Sequence, residues 1–287
     1  MLVLIGFVVV FASVIGGFAM GGGHVGVLFQ PMEIVIIVGG AVGAFIAGNS
    51  VKTIKGVGSA LRLVFAGKSV KKTRYLELML MMGEVLDKVK RDGAISIEND
   101  VDNPQNSQLF QNYPELLGDR SVLEFFTDYC RFMVNGKMNP LEIEGLMESE
   151  LDTYRAEKLK PAKALQKVSD GLPAFGIVAA VMGVVHVMGS VGQVSNSELG
   201  VMIAAALVGT FLGILLSYGF VGPLSTVIDQ RLQESVKQFE CIKVTLLAFM
   251  SGYSPEVSVE FGRKVLYSTD RPTFAELEDK LKANRKR

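Results

Sequence analysis

The sequence predicts an all-α integral membrane protein with four transmembrane helices and a helical cytoplasmic domain. Three observations carry that prediction. Formal charge is missing from four long stretches, a dense basic cluster follows the second of them, and the segments between the second and third repeat apolar residues at helical spacing. Of the 287 residues, 49% are hydrophobic and only 20% are charged, so the charges that exist are informative by position.

No Asp, Glu, Lys or Arg occurs before Glu33, and after it the next charge is Lys52. Further gaps run over 171–197 and 199–228. A hydrocarbon core about 30 Å thick is crossed by about 20 apolar residues at helical rise. Spans are therefore expected at roughly 2–20, 33–50, 172–190 and 200–222. The first lacks a basic leader and is followed at once by another apolar run, which argues for an uncleaved span.

Orientation follows from the basic residues. Lys52, Lys55, Arg62, Lys68, Lys71, Lys72 and Arg74 come directly after the second span, whereas the short loops 21–32 and 191–199 hold no Lys or Arg. Basic residues collect on the cytoplasmic side, so both short loops face out and both termini face in. Cys130 and Cys241 then lie in the reducing compartment, as thiols and not as a disulfide.

The parts divide as 1–50, spans one and two; 51–170, a cytoplasmic helical domain; 171–222, spans three and four; and 223–287, a cytoplasmic helix and tail. In "YLELMLMMGEVLDKVKR" (75–91), Leu78, Met82, Val85 and Val89 share one face, with charges opposite, and Gly93 stops the helix. "ENDVDNPQNS" (98–107) reads as turn and loop. Over 122–135, Leu123, Phe126, Cys130 and Met133 point inward and Gly136 is a C′ stop. "NPLE" starts the next helix, with Asn139 as N-cap, Pro140 at N1 and Glu142 placed for a capping box. Pro161 should kink it. Leu224–Met250 is amphipathic, with Val236, Phe239, Ile242 and Leu247 as markers. The tail "KLKANRKR" is expected to be solvated.

Chemistry is hard to find. "AGKS" (66–69) fails as a phosphate loop because Arg62 stands where its first glycine belongs. His24 and His186 fall in different apolar runs and cannot form a zinc pair, no G-x-S-x-G elbow occurs, and no cofactor is implied. The protein is not expected to be an enzyme. Ionisable groups at membrane depth mark ion pathways. Glu33 lies at the edge of its span and is expected to snorkel, and His186 to be packed or hydrogen-bonded. An ion-carrying acid must then come from another chain. Two small-residue stripes, Ala205–Gly209–Gly213–Ser217 and Gly39–Gly43–Ala47, suit close helix packing, some of it between copies of the chain.

Four stretches carry a family resemblance: "GGAVGAFIAGN" (39–49), "GLPAFGIVAAVMGVVH" (171–186), "LVGTFLGILLSYGF" (207–220) and "VEFGRKVLYSTDRPTFAELE" (259–278). Together they resemble the MotA/PomA family of flagellar motor stator subunits, related to TolQ and ExbB, which have three spans and lack the "RPTFAELE" ending. The resemblance implies a homo-oligomer around a dimer of single-span MotB, which supplies the ion-carrying aspartate, in the bacterial inner membrane. It implies rotor contact with FliG through Glu98 and one of Lys90 and Arg91, and conformational coupling through Pro173 and Pro223. It also implies ion-pathway lining by Ala180 and Thr210. Sodium-driven relatives carry threonine at both of those positions. Sodium needs several oxygen ligands, so Ala180 points to protons. The alternatives are an energiser of TolQ or ExbB type and a membrane scaffold without ion flux.

Overall fold

The computed structural model describes residues 2–66, 72–136 and 139–284, and these form two compact units. Most of the "AGKS" stretch, together with residues 137–138 and the last three residues of the tail, lies outside the described residues. No strand occurs among the described ones.

The first unit holds residues 1–68 and 158–230. Helices α1 (Leu2–Met20) and α2 (Pro31–Gly48) are two apolar spans. α3 (Val51–Phe65) begins at Ser50, whose hydroxyl accepts a hydrogen bond from Thr53 N at 3.3 Å. The third span is the later part of α9 (Pro140–Gly189), a 50-residue helix that passes Pro161 and Pro173 unbroken. The fourth is α10 (Asn196–Ile214), opened by a capping box of Ser195 and Glu198. It runs into a π-helical segment, Leu215–Val221, and then into α11 (Gly222–Met250). Among the described residues four helices are thus long and apolar enough to cross a membrane, as the charge gaps require.

Two apolar clusters hold this unit together. Val57 and Val64 of α3 pack with Ala162, Ala164, Leu165 and Ile228, while Ile37 and Ala41 of α2 pack with Leu172 and Ala179 of α9. Pro161 contributes here: its ring sits against Gly56, where an added Cβ would come within 3.0 Å of Pro161 Cγ.

The second unit holds residues 69–157 and 231–287. Its centre is α4 (Lys72–Asp92), which buries Leu78, Met82, Val85 and Val89 as the spacing predicts. It also buries Tyr75, Leu76, Met79, Leu80, Met81 and Leu86, so α4 is enclosed on more than one face. Burying each such side chain contributes about 1.5–3 kcal/mol. Gly93 ends α4 with φ +83°, a conformation that suits glycine.

The stretch expected as a loop, 98–107, instead holds α5 (Glu98–Asp102) and a 3-10 turn at Pro104–Asn106, and two more short helices follow it, α6 (Gln108–Gln111) and α7 (Pro114–Leu117). Its turn-forming residues act as caps. Ser107 Oγ accepts from Phe110 N at 3.4 Å, and Val101, Phe110 and Leu116 are buried. α8 (Arg120–Asn135) buries Leu123, Phe126 and Cys130 and ends at Gly136, φ +62°. Asn139 caps α9 through its own side chain, Oδ1 accepting from Leu141 N at 3.1 Å. The later part of α11, α12 (Pro255–Lys264) and α13 (Phe274–Asn284) close the core with Phe239, Ile242, Leu246, Val259 and Leu277.

Candidate functional site

Spans three and four meet through their smallest residues. A Cβ added at Gly176 would fall 2.8 Å from Gly209 O and 3.3 Å from Thr210 Cα. One added at Gly213 would fall 2.7 Å from Leu172 O, and one at Gly209 would fall 3.1 Å from Ala180 N. The helices therefore touch backbone to backbone, as small-residue stripes permit in lipid. This contact brings Ala180 and Thr210 into one neighbourhood.

The fourth-span stripe is thus spent inside the chain. The second-span stripe is not: Gly39 and Gly43 have open space where a side chain would stand, and Ala47 is exposed. Only Gly40 of that helix turns inward, where the Phe175 ring occupies the space of its missing side chain.

Toward the chain's basic end of these spans, Ser169 and Ser217 form a buried hydroxyl pair. Ser217 Oγ donates to Ser169 O at 2.6 Å, and Ser169 Oγ lies 3.1 Å from both Ser217 O and Ser217 Oγ. Ser217 belongs to the π-segment, and its carbonyl accepts from Gly222 N through the wide i→i+5 turn. Ser169 donates to the same carbonyl. Pro173 stands one helical turn from Ser169, and Pro223 follows Gly222, whose Cβ position is 3.2 Å from Ser169 Oγ. The two prolines flank one polar contact between α9 and the π-segment. The sequence read alone does not announce the π-segment, because LLSYGFV continues the apolar run of the span.

Two expectations need correction. Glu33 does not snorkel outward. Its Oε2 is buried without a hydrogen-bond partner, 2.6 Å from the Cβ position of Gly209, and its Oε1 is 3.4 Å from that of Gly183. The glycines leave room for the carboxyl there. His186, in contrast, is exposed on this unit and not packed within it.

In the second unit, Lys90, Arg91 and Glu98 are all exposed. Arg91 is bound to its neighbour, Nη2 to Asp92 Oδ2 at 2.9 Å, and that bond raises the guanidinium pKa further. Among the described residues Lys90 has no such ion pair. Between the basic and acidic positions stands Ile95, 73% exposed, an apolar residue the charge-based search passed over.

A helical membrane protein with a glycine-lined contact between its last two spans is the class that the fold and site define. The motility protein A N-terminal family model matches residues 4–93, and that of the MotA/TolQ/ExbB proton channel family matches 119–241. Motility protein A of Salmonella typhimurium is 48% identical and that of Escherichia coli 49% identical, each alignment covering 99% of this chain and 96% of the relative. The fold matches MotAB of C. jejuni with TM-score 0.76 at 19% identity, covering 95% of this chain and 98% of that one. It matches the flagellar MotAB stator complex of Bacillus subtilis with TM-score 0.71 at 23% identity, covering 93% and 96%. The chain belongs to the motility protein A family. It is a multi-pass membrane protein, part of which matches the MotA/TolQ/ExbB proton channel family.

Proposed function

We propose that this chain forms a homo-oligomer around a MotB dimer in the bacterial inner membrane, with both termini cytoplasmic. Ion flow past the MotB aspartate is turned into torque on FliG. The observation that carries the reading is correspondence along the whole chain: 48% identity over 99% of it, with the N-terminal model specific to motility protein A. The proton-channel model is shared with TolQ and ExbB; the N-terminal one is not, and that favours the flagellar motor over an envelope energiser. The uncovered Gly39–Gly43–Ala47 stripe supports contact between copies.

The ion is the proton. Ala180 stands at the contact of spans three and four and brings no side-chain oxygen, so Thr210 alone cannot complete a sodium shell there. Pro173 and Pro223 flank the Ser169–Ser217 contact and act as the coupling points. On the rotor side, Lys90 is the basic contact, because Arg91 is already bound to Asp92. Lys90 and Glu98, with Ile95 between them, meet FliG.

Deleting the gene should leave filaments intact and abolish swimming. With the gene present, swimming should collapse on adding a protonophore and ignore external sodium. Speed that tracks sodium and survives the protonophore would overturn the ion assignment. A deletion strain that still swims would overturn the stator reading.

A further inference from the structure

Glu33 is the third residue of α2, in a first turn where a carboxylate normally faces water or caps backbone N–H groups. Here one oxygen does neither. Glu33 as a whole is partly buried, but its Oε2 is fully buried and accepts no hydrogen bond, and it lies in the crevice between α9 and α10. The crevice is made by two absent side chains: alanine at Gly209 would place its Cβ 2.6 Å from Oε2, and alanine at Gly183 would place its Cβ 3.4 Å from Oε1. That Gly209 position lies against Ala179 Cβ at 3.0 Å and Ala180 N at 3.1 Å, so Glu33 reaches the same helix contact as the candidate ion-pathway residues.

Among the described residues no ion pair to it occurs. α9 presents Gly183 and α10 presents Gly209, and α2 itself carries no other charge. The titratable residues nearest along those helices are His186, which is exposed, and Glu198, which is exposed and committed to the α10 capping box. A carboxylate with neither cation nor donor in an apolar crevice is costly, and the ordinary remedy is to take up a proton.

We propose that Glu33 is a proton-binding group belonging to this chain itself, seated in a two-glycine slot between spans three and four. It takes a proton from hydronium, leaving water and a neutral carboxyl, and returns the proton to water when the slot opens. The inference rests on the proton-coupled reading above and adds a second carboxyl to the pathway besides the partner's.

The test expresses the full chain with its partner in a motile strain lacking its own stator, and records rotation speed against external pH. Glu33→Gln keeps the shape and removes the titration; Glu33→Asp keeps the titration and shortens the reach. Membrane level and partner co-purification are measured alongside. The expected result is that Glu33→Gln loses the pH response while assembling normally, and that Glu33→Asp responds with a shifted midpoint. Should Glu33→Gln fail to accumulate, the Glu33→Asp midpoint decides. Both variants following the wild-type profile would overturn the proposal, as would an unshifted Glu33→Asp midpoint. A wild type that ignores pH and protonophore and follows sodium would overturn the proton reading and this role with it. A pH-responsive wild type matched by Glu33→Gln would overturn the role alone.

Discussion

At the scale of single residues, charge on the second unit sorts into groups already occupied and groups left free. Lys72 holds Glu276 at 2.7 Å, Lys88 holds Asp100 at 2.7 Å, and Arg131 bridges Asp102 and Asp128. Lys90 and Glu98 have no such ties among the described residues. Rim charges govern encounter and register more than affinity, so reversals should exceed neutralisations. Lys90→Glu and Glu98→Lys are expected to cut torque clearly more than Arg91→Glu, and an opposite change on FliG should restore Glu98→Lys. Torque unchanged by Lys90→Glu would remove Lys90 from the contact. Glu77 shows the opposite situation, a carboxyl with one oxygen buried and unpartnered. Burial raises its pKa above 4.5, Glu115 adds to the rise, and Arg74 and Lys280 oppose it. Below the unfolded pKa both states are protonated and nothing is lost. As pH rises the unfolded chain ionises first, so stability falls until the folded group ionises too. Glu77→Gln should therefore stabilise the purified protein at neutral pH by about 1 kcal/mol, the scale of one unsatisfied buried polar group. Thermal unfolding should show that gain shrinking in acid; a gain independent of pH would exclude ionisation as its cause.

At the scale of elements, the spans were legible and their contacts were not. A charge gap of membrane length needs no tertiary information, and both ends of α1 and α2 and the C-terminal end of α9 fall within about two residues of the expected ones, the usual scatter of helix boundaries. The short helices between α4 and α8 escaped because Asn, Pro and Ser signal turns and caps alike, and only the burial of Val101, Phe110 and Leu116 separates the two. Glu33 escaped because a slot made by two glycines on other helices has no signature in its own neighbourhood. The stripes were visible as stripes, but which one faces the chain's own helices had to be seen. That difference is testable. Gly213→Ala forces a Cβ to 2.7 Å from the Leu172 carbonyl and 2.9 Å from Gly176 Cα, so it should deplete the membrane-inserted protein. Gly43→Ala meets open space and should insert normally while weakening association between copies, read by native mass or cross-linking. Equal effects of the two would argue against a free outer stripe. Pro173→Ala restores a backbone donor within an already unbroken helix, so insertion and partner binding should persist while rotation is lost. Loss of assembly instead would make Pro173 a packing residue.

At the scale of the whole molecule, each unit is assembled from two stretches of sequence that are far apart. In the second unit Tyr75 donates its hydroxyl proton to Glu234 O at 2.8 Å, and Arg74 Nε donates to Gln238 Oε1 at 2.8 Å. Phe125 meets Phe239 edge to face at 5.2 Å, and the Leu281 side chain occupies the space beside Gly83. A chain grows from its N-terminus, so residues 72–157 leave the ribosome long before residues 231–284 exist to cover them. In that interval the last two spans must enter the bilayer, and the exposed face of α4 is rich in Leu and Met, the kind of surface that aggregates or recruits chaperones. A nascent chain arrested before residue 231 should stay open to protease in residues 72–157, and one completed through Asn284 should resist it. The discontinuous core thus ties completion of the second unit to the arrival of its last stretch: a chain that stops short of residues 231–284 has nothing with which to close the core around α4.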